Sequence, residues 1–262
     1  MQDKVEFNKE LHKYYVNGAP MSESVTTVVH NYFGHFDGNA SARAMLRNAA
    51  FWTDEEKYGK YWDAAKEVTE KVAIENIILM WEENRDEAAT LGTNMHEAIE
   101  ESLVNNAELP DTKECSMFLN YRAHTESLGY KPYKFETVVW DVSASIAGSV
   151  DAMFINSKGE VWLVDWKRSK EIRTKGFRGQ KGKGPMSNKQ DCNFEHYSLQ
   201  LNVYKYLLSN NFGENIVRMS LVILHPNQDD YILLDVADNQ GAVQQIMNER
   251  RGKYNKTSNV EH

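Results

Sequence analysis

The sequence is poor in the residues that staple a chain, ligate clusters or cross a membrane. It has two cysteines in 262 residues, Cys115 and Cys192. Two cannot build a disulfide framework, a four-cysteine zinc site or an iron–sulfur cluster, so a reducing compartment is the default expectation. No uninterrupted apolar run reaches the roughly 20 residues of a membrane-spanning helix, and no membrane partner is expected. The first residues, MQDKVEFNKE, lack the apolar core of a secretory signal. The expectation is an intracellular, cytoplasmic protein, in the host cytoplasm if the source is viral. A G-x-x-x-x-G-K-[ST] phosphate loop is also missing, so the chain carries no nucleotide-driven motor of its own.

Net positive charge is lacking too. The chain carries −8, which argues at first against a polyanionic partner. The distribution says otherwise. Trp166 to Gln190 holds nine cations (Lys167, Arg168, Lys170, Arg173, Lys175, Arg178, Lys181, Lys183 and Lys189) against the single acid Glu171. That segment is +8 and the remainder −16. A local basic patch on an acidic body can bind phosphates.

What is present suits one large domain, or one domain with a helical extension, with enough apolar residues for a core that needs no staples. HKYYVNGAP (12–20) reads as a hairpin around Asn17-Gly18, and SESVTTVVHNYF as a short helix capped by Ser22 or Ser24. Residues 39–107 read as mostly helical, interrupted at Gly92, and a further helix is expected over 112–128. The period then changes. KFETVVWD (134–141), SIAGSVDAMFIN (145–156) and EVWLVDWK (160–167) read as three consecutive strands, with a Ser157-Lys158-Gly159 turn. Residues 168–193 show no periodicity and read as a long functional loop, a mobile clamp. An amphipathic helix over 195–210 buries Leu199, Val203, Tyr206 and Leu207. Two strands, a closing helix and a loose tail follow. This order predicts an α/β fold with a mixed central sheet flanked by helices and an N-terminal helical elaboration. The expected division is 1–130, a hairpin and helical region; 131–252, the core; and 253–262, a flexible tail.

Two strands expected to be buried carry charge. Asp151 lies in the second, and the third ends on Asp165, Trp166 and Lys167. Acids on adjacent strands repel, and burying them is costly unless a cation joins them. Hard cations such as Mg²⁺ take one or two carboxylates with other oxygen ligands, here including the Trp166 backbone carbonyl. Lys167 falls two residues after Asp165, on the same strand face. His96-Glu97 is not a zinc-protease pair, because Glu100 stands where a second histidine is required.

The pattern Gly148-Ser-Val-Asp151 followed by Val164-Asp-Trp-Lys167 resembles the PD-(D/E)XK nuclease superfamily, with Val150-Asp151 in place of the proline and aspartate of the name. Gly92-Thr93-Asn94-Met95-His96 and the Q-x-x-x-Y pair Gln200 and Tyr204 resemble its RecB-like exonuclease branch, as does the spacing of Trp81, Gly92 and His96. SVTT resembles the opening of phage and viral members. The resemblance spans roughly residues 12–236 and implies a restriction-endonuclease-like core. It implies a Mg²⁺- or Mn²⁺-dependent DNA exonuclease, acting in DNA processing, recombination or repair, with no iron–sulfur cluster. His96, Asp151 and Asp165 would hold the metal and Lys167 would be the catalytic lysine. Gln200 and Tyr204 would position that lysine or the DNA backbone. Glu136 and Glu100 are expected to stand behind the ligands. The eight cations from Arg168 to Lys189 are expected to contact the DNA, with Trp166 and Phe177 as stacking surfaces. The substrate is a duplex end or single strand, and a helicase or single-strand-annealing protein is a candidate partner. A non-hydrolytic nucleic-acid-binding module on the same fold, an endonuclease and a nuclease acting on RNA remain alternatives.

Overall fold

The computed structural model describes residues 3–8, 10, 11 and 13–258, the last four by backbone alone. His12 of the expected hairpin and residues 259–262 of the expected tail lie outside the described residues. The chain divides into two compact units: residues up to Gly34 together with those from Met95 on, and His35–Asn94.

The larger unit opens with β1 (Val5–Asn8), β2 (Lys13–Val16) and β3 (Ala19–Pro20), an antiparallel three-stranded sheet. Asn17 and Gly18 both take positive φ, 52° and 81°, as a tight turn between β2 and β3 requires. β4 (Glu23–Ser24) leads into α1 (Val25–Asn31), where the Ser24 side chain accepts a hydrogen bond from the Thr27 N–H. That cap satisfies one of the donors orphaned at a helix start.

The smaller unit is helical: α2 (Gly38–Arg47), α3 (Glu55–Ala65) and the first part of α4 (Glu70–Asn105). Asp37 and Asp54 cap α2 and α3. Ala42, Ile74 and Ile77 form its core with Leu46, Tyr61 and Trp81 packed around them. α4 runs unbroken through Gly92, contrary to the expected interruption. One mid-helix glycine costs only about 1 kcal/mol, which 36 residues of continuous hydrogen bonding absorb.

The larger unit resumes with the end of α4 and with α5 (Lys113–Ser127). Three antiparallel strands follow: β5 (Lys131–Asp141), β6 (Ile146–Ile155) and β7 (Val161–Lys167). α6 (Asn193–Asn211) crosses to β8 (Ile216–Ile223), which is parallel to β7. β9 (Ile232–Asp235) pairs antiparallel with β8, and α7 (Gln240–Ser258) closes the chain, four residues beyond the expected end of that helix. β4 adds a short parallel pairing to the start of β6. The result is an α/β fold with a mixed central sheet flanked by helices.

Alternation along β7 shows how the sequence builds both faces. Val161 and Leu163 enter the core shared with α1, α6 and α7. Trp162, Val164 and Trp166 enter a second core with Met95 and Ile99 of α4 and Met117, Phe118 and Tyr121 of α5. This period of two puts Asp165 and Lys167 on the α6 side of the sheet. The backbone of Trp166 sits between them, while its side chain points away.

Candidate metal centre

Asp151 lies in the middle of β6, and His96 reaches it from α4. His96 Nδ1 is 3.6 Å from Asp151 Oδ2. His96 Nε2 is 3.1 Å from the Trp166 carbonyl oxygen, and the Trp166 N–H donates to Asp151 Oδ2 at 2.9 Å. One imidazole, one carboxylate and one peptide unit thus converge where β6 and β7 meet α4.

Glu136 is the departure from expectation. The structure places it beside His96 and Asp151, and the donor atoms of these three all lie within 4.8 Å of one another. Its neighbours in β5 explain the position. Phe135 pairs with Ala152 and Thr137 with Val150, so Glu136 falls opposite Asp151 on the adjacent strand. Glu136 also takes φ of 40°, in the left-handed region that a non-glycine residue enters at a cost of about 1–3 kcal/mol. Its carboxylate accepts a hydrogen bond from Ser149 Oγ at 2.8 Å. Burial first, and then the charge of Asp151, push its pKa up to about 7 against the pull of Ser149.

Asp165 lies outside this trio. It is 2% exposed, and Lys167 Nζ stands 2.6 Å from its Oδ2. Its Oδ1 has no hydrogen-bond partner among the described residues. Burial pushes the Asp165 pKa up to about 6, Lys167 opposes that, and Asp151 adds to it. Burial alone would depress the Lys167 ammonium, but Asp165 and Asp151 outweigh it and hold its pKa above the ordinary value. The ammonium also lies 4.9 Å from the centre of the Tyr197 ring.

Gln200 and Tyr204 meet as the helix spacing requires, with Gln200 Nε2 donating to the Tyr204 hydroxyl at 3.3 Å. Tyr204 is buried against Gly148 of β6. A Cβ at position 148 would come within 2.9 Å of both Tyr204 Cε1 and Val25 Cγ2, which gives a physical reason for the glycine of the Gly148-Ser-Val-Asp151 pattern. Glu100, one turn after His96, is half-buried and contributes to raising the pKa of Glu136.

The basic segment is built differently from the expected mobile clamp. Short turns at Phe177–Gly179 and Gly184–Met186 and an antiparallel bridge between Lys181 and Gln190 organise it. The Lys183 N–H donates to the Tyr32 carbonyl at 2.7 Å, and Met186 is buried in the α6-side core. Backbone hydrogen bonds, invisible to side-chain periodicity, supply this order. Arg168 is withdrawn from the surface, paired to Glu114 at 2.8 Å with both side chains mostly buried. Arg173 and Lys189 pair with Glu171 and Glu195. Lys170, Lys175, Arg178, Lys181 and Lys183 are exposed and form no ion pair with a carboxylate among the described residues. Trp166 is 2% exposed and cannot stack on a base, whereas Phe177 is 69% exposed.

The residues fit a hard divalent cation on the chemistry of their donors. Two carboxylates and an imidazole share one half-buried space, and a third buried carboxylate nearby has an unused oxygen. A cation relieves that repulsion. One residue beside Lys167 that is absent from the expectations is Tyr197. Its signal was present, because Tyr197, Gln200 and Tyr204 fall at i, i+3 and i+7 and so share one face of α6.

Among the described residues no helix is long and apolar enough to cross a membrane. No family model and no curated protein matches the chain. Solved structures show a loose likeness. SSO0001 is 15% identical over 87% of this chain and 73% of its own, with a TM-score of 0.32. The "Putative exonuclease" from Eubacterium rectale is 14% identical over 79% of this chain and 84% of its own, with a TM-score of 0.37. Overlap this loose transfers no residue role.

Proposed function

We propose that this chain is a metal-dependent deoxyribonuclease that hydrolyses phosphodiester bonds from the ends of DNA. The observation that carries the reading is the meeting of His96, Glu136 and Asp151 beside a buried Asp165–Lys167 pair. Three acids, an imidazole and an ammonium gathered in one half-buried space cost stability and contribute little to packing.

In this reading His96, Asp151 and Asp165 hold a Mg²⁺ or Mn²⁺ ion, with the Trp166 carbonyl and Glu136 beside them. A bound ion would polarise the phosphate and favour deprotonation of the attacking water. Lys167 keeps its charge next to Asp165 and is placed to stabilise the anionic phosphate or to orient the water. Tyr204 and Gln200 brace β6 from the α6 side and so fix Asp151 relative to Lys167. Lys170, Lys175, Arg178, Lys181 and Lys183 supply screened attraction for the DNA backbone.

The experiment is digestion of end-labelled linear DNA and of circular DNA, with Mg²⁺ or with EDTA, by the parent chain and by Asp165→Ala and Lys167→Ala. The expected result is Mg²⁺-dependent shortening of the linear substrate only, abolished in both variants. Cutting by both variants at the parent rate refutes the site. Loss of circular DNA refutes end-dependence. Retardation of DNA without any shortening would make the protein a binding module.

A further inference from the structure

We infer that Tyr197 is a positioning residue for Lys167, with its ring as the shelf on which the ammonium rests. The inference rests on the proposed role of Lys167. A lysine side chain has four rotatable bonds, and holding it in one place requires contacts along or beyond the stem. Asp165 supplies one contact, 2.6 Å from Nζ, but as an acid at the site it is also a proposed metal ligand. A cation drawing on Asp165 would weaken its hold on the ammonium. The second contact does not compete for a metal. The Tyr197 ring centre lies 4.9 Å from Nζ, within the distance at which a cation is attracted to an aromatic face.

The placement follows from the fold. Lys167 ends β7 on its α6-facing side, and Tyr197 is in the second turn of α6. The Tyr197 ring is partly buried against the core that α6 shares with the sheet. The Tyr204 hydroxyl, further along the same helix, is held by Gln200. The ring face is the part of Tyr197 that lies against the Lys167 ammonium. One helix face then serves two strands: Tyr197 holds Lys167 of β7, and Tyr204 packs on Gly148 of β6.

The test compares Tyr197→Phe, which keeps the ring, with Tyr197→Leu, which keeps apolar bulk without it. Digestion of linear DNA at saturating Mg²⁺ gives kcat and KM, and Mn²⁺ binding is measured separately by titration. Tyr197→Phe is expected to stay within about twofold of the parent kcat, and Tyr197→Leu to lose about 5- to 30-fold, with KM and Mn²⁺ affinity unchanged in both. Equal activity in Tyr197→Leu and the parent overturns the inference. So does an equal loss in both variants, which would assign the role to the hydroxyl. Loss of Mn²⁺ affinity in step with kcat overturns it as well, since the effect would then be structural. Reductive methylation of Lys167 in metal-free protein, read by mass spectrometry, gives an arm independent of cleavage. Labelling should rise in Tyr197→Leu and not in Tyr197→Phe, and unchanged labelling in both refutes the contact. If the parent does not cut DNA, the proposed function falls while the labelling still decides the contact.

Discussion

Replacing Gly148 by alanine tests how β6 is seated under α6. In an open strand this change is favourable by about 0.5–1 kcal/mol, because the unfolded chain loses freedom. Here the new methyl would come within 2.9 Å of Tyr204 Cε1 and Val25 Cγ2 and 3.1 Å of the Tyr204 hydroxyl. Neither neighbour can step aside cheaply, since Val25 is fully buried and Tyr204 is 4% exposed and tied to Gln200. Overpacking of this kind costs about 1–3 kcal/mol. The net loss is then up to about 2.5 kcal/mol, or a melting temperature lower by up to roughly 10 °C for a chain of this size. Calorimetry of Gly148→Ala, Tyr204→Leu and the double variant measures it. In the Tyr204→Leu background the ring is gone, so adding the methyl should cost less by about 0.5 kcal/mol or more. A higher melting temperature for Gly148→Ala, or the same cost in both backgrounds, refutes the claim that the Tyr204 ring contributes to the requirement for glycine at this position.

Glu136→Gln should weaken Mn²⁺ binding by at least about tenfold, measured by calorimetric titration, and an unchanged affinity would place Glu136 outside the centre altogether. Arg168→Ala should lower the melting temperature, because Glu114 is left mostly buried without its partner, and should leave the salt dependence of DNA binding unaltered. Lys181→Ala should do the reverse, reducing the slope of log affinity against log salt by about one in fluorescence anisotropy titrations. Asp141 is pushed up by burial but held below its ordinary pKa overall by hydrogen bonds from Ser143, Arg251 and the Ala144 N–H. Its stabilising contribution is therefore complete above the unfolded value near 4 and is lost as pH falls through the lower folded value. Asp141→Asn should accordingly be less stable than the parent in urea at pH 7, and the gap should close in more acidic solution.

The sequence by itself determined the five strands β5 to β9, their order along the chain and the residues that carry charge, but not β1 or β4. Strand alternation in VWLVDWK and the turn at Ser157-Lys158-Gly159 are local properties, set by side-chain direction and backbone freedom, and they can be read without a partner. The same alternation put Asp165 and Lys167 on one face. The four-residue step put Gln200 beside Tyr204. Tertiary structure decided what no local pattern encodes. Glu136 joins His96 and Asp151 because β5 pairs with β6 in one particular register, with Glu136 itself at positive φ. Trp166 is buried because α5 covers that side of the sheet. Arg168 is claimed by an acid 54 positions earlier. The basic segment is held by backbone hydrogen bonds, which leave no mark on side-chain spacing. Register, pairing across the sheet and burial are relations between distant residues, and the chain acquires them only on folding.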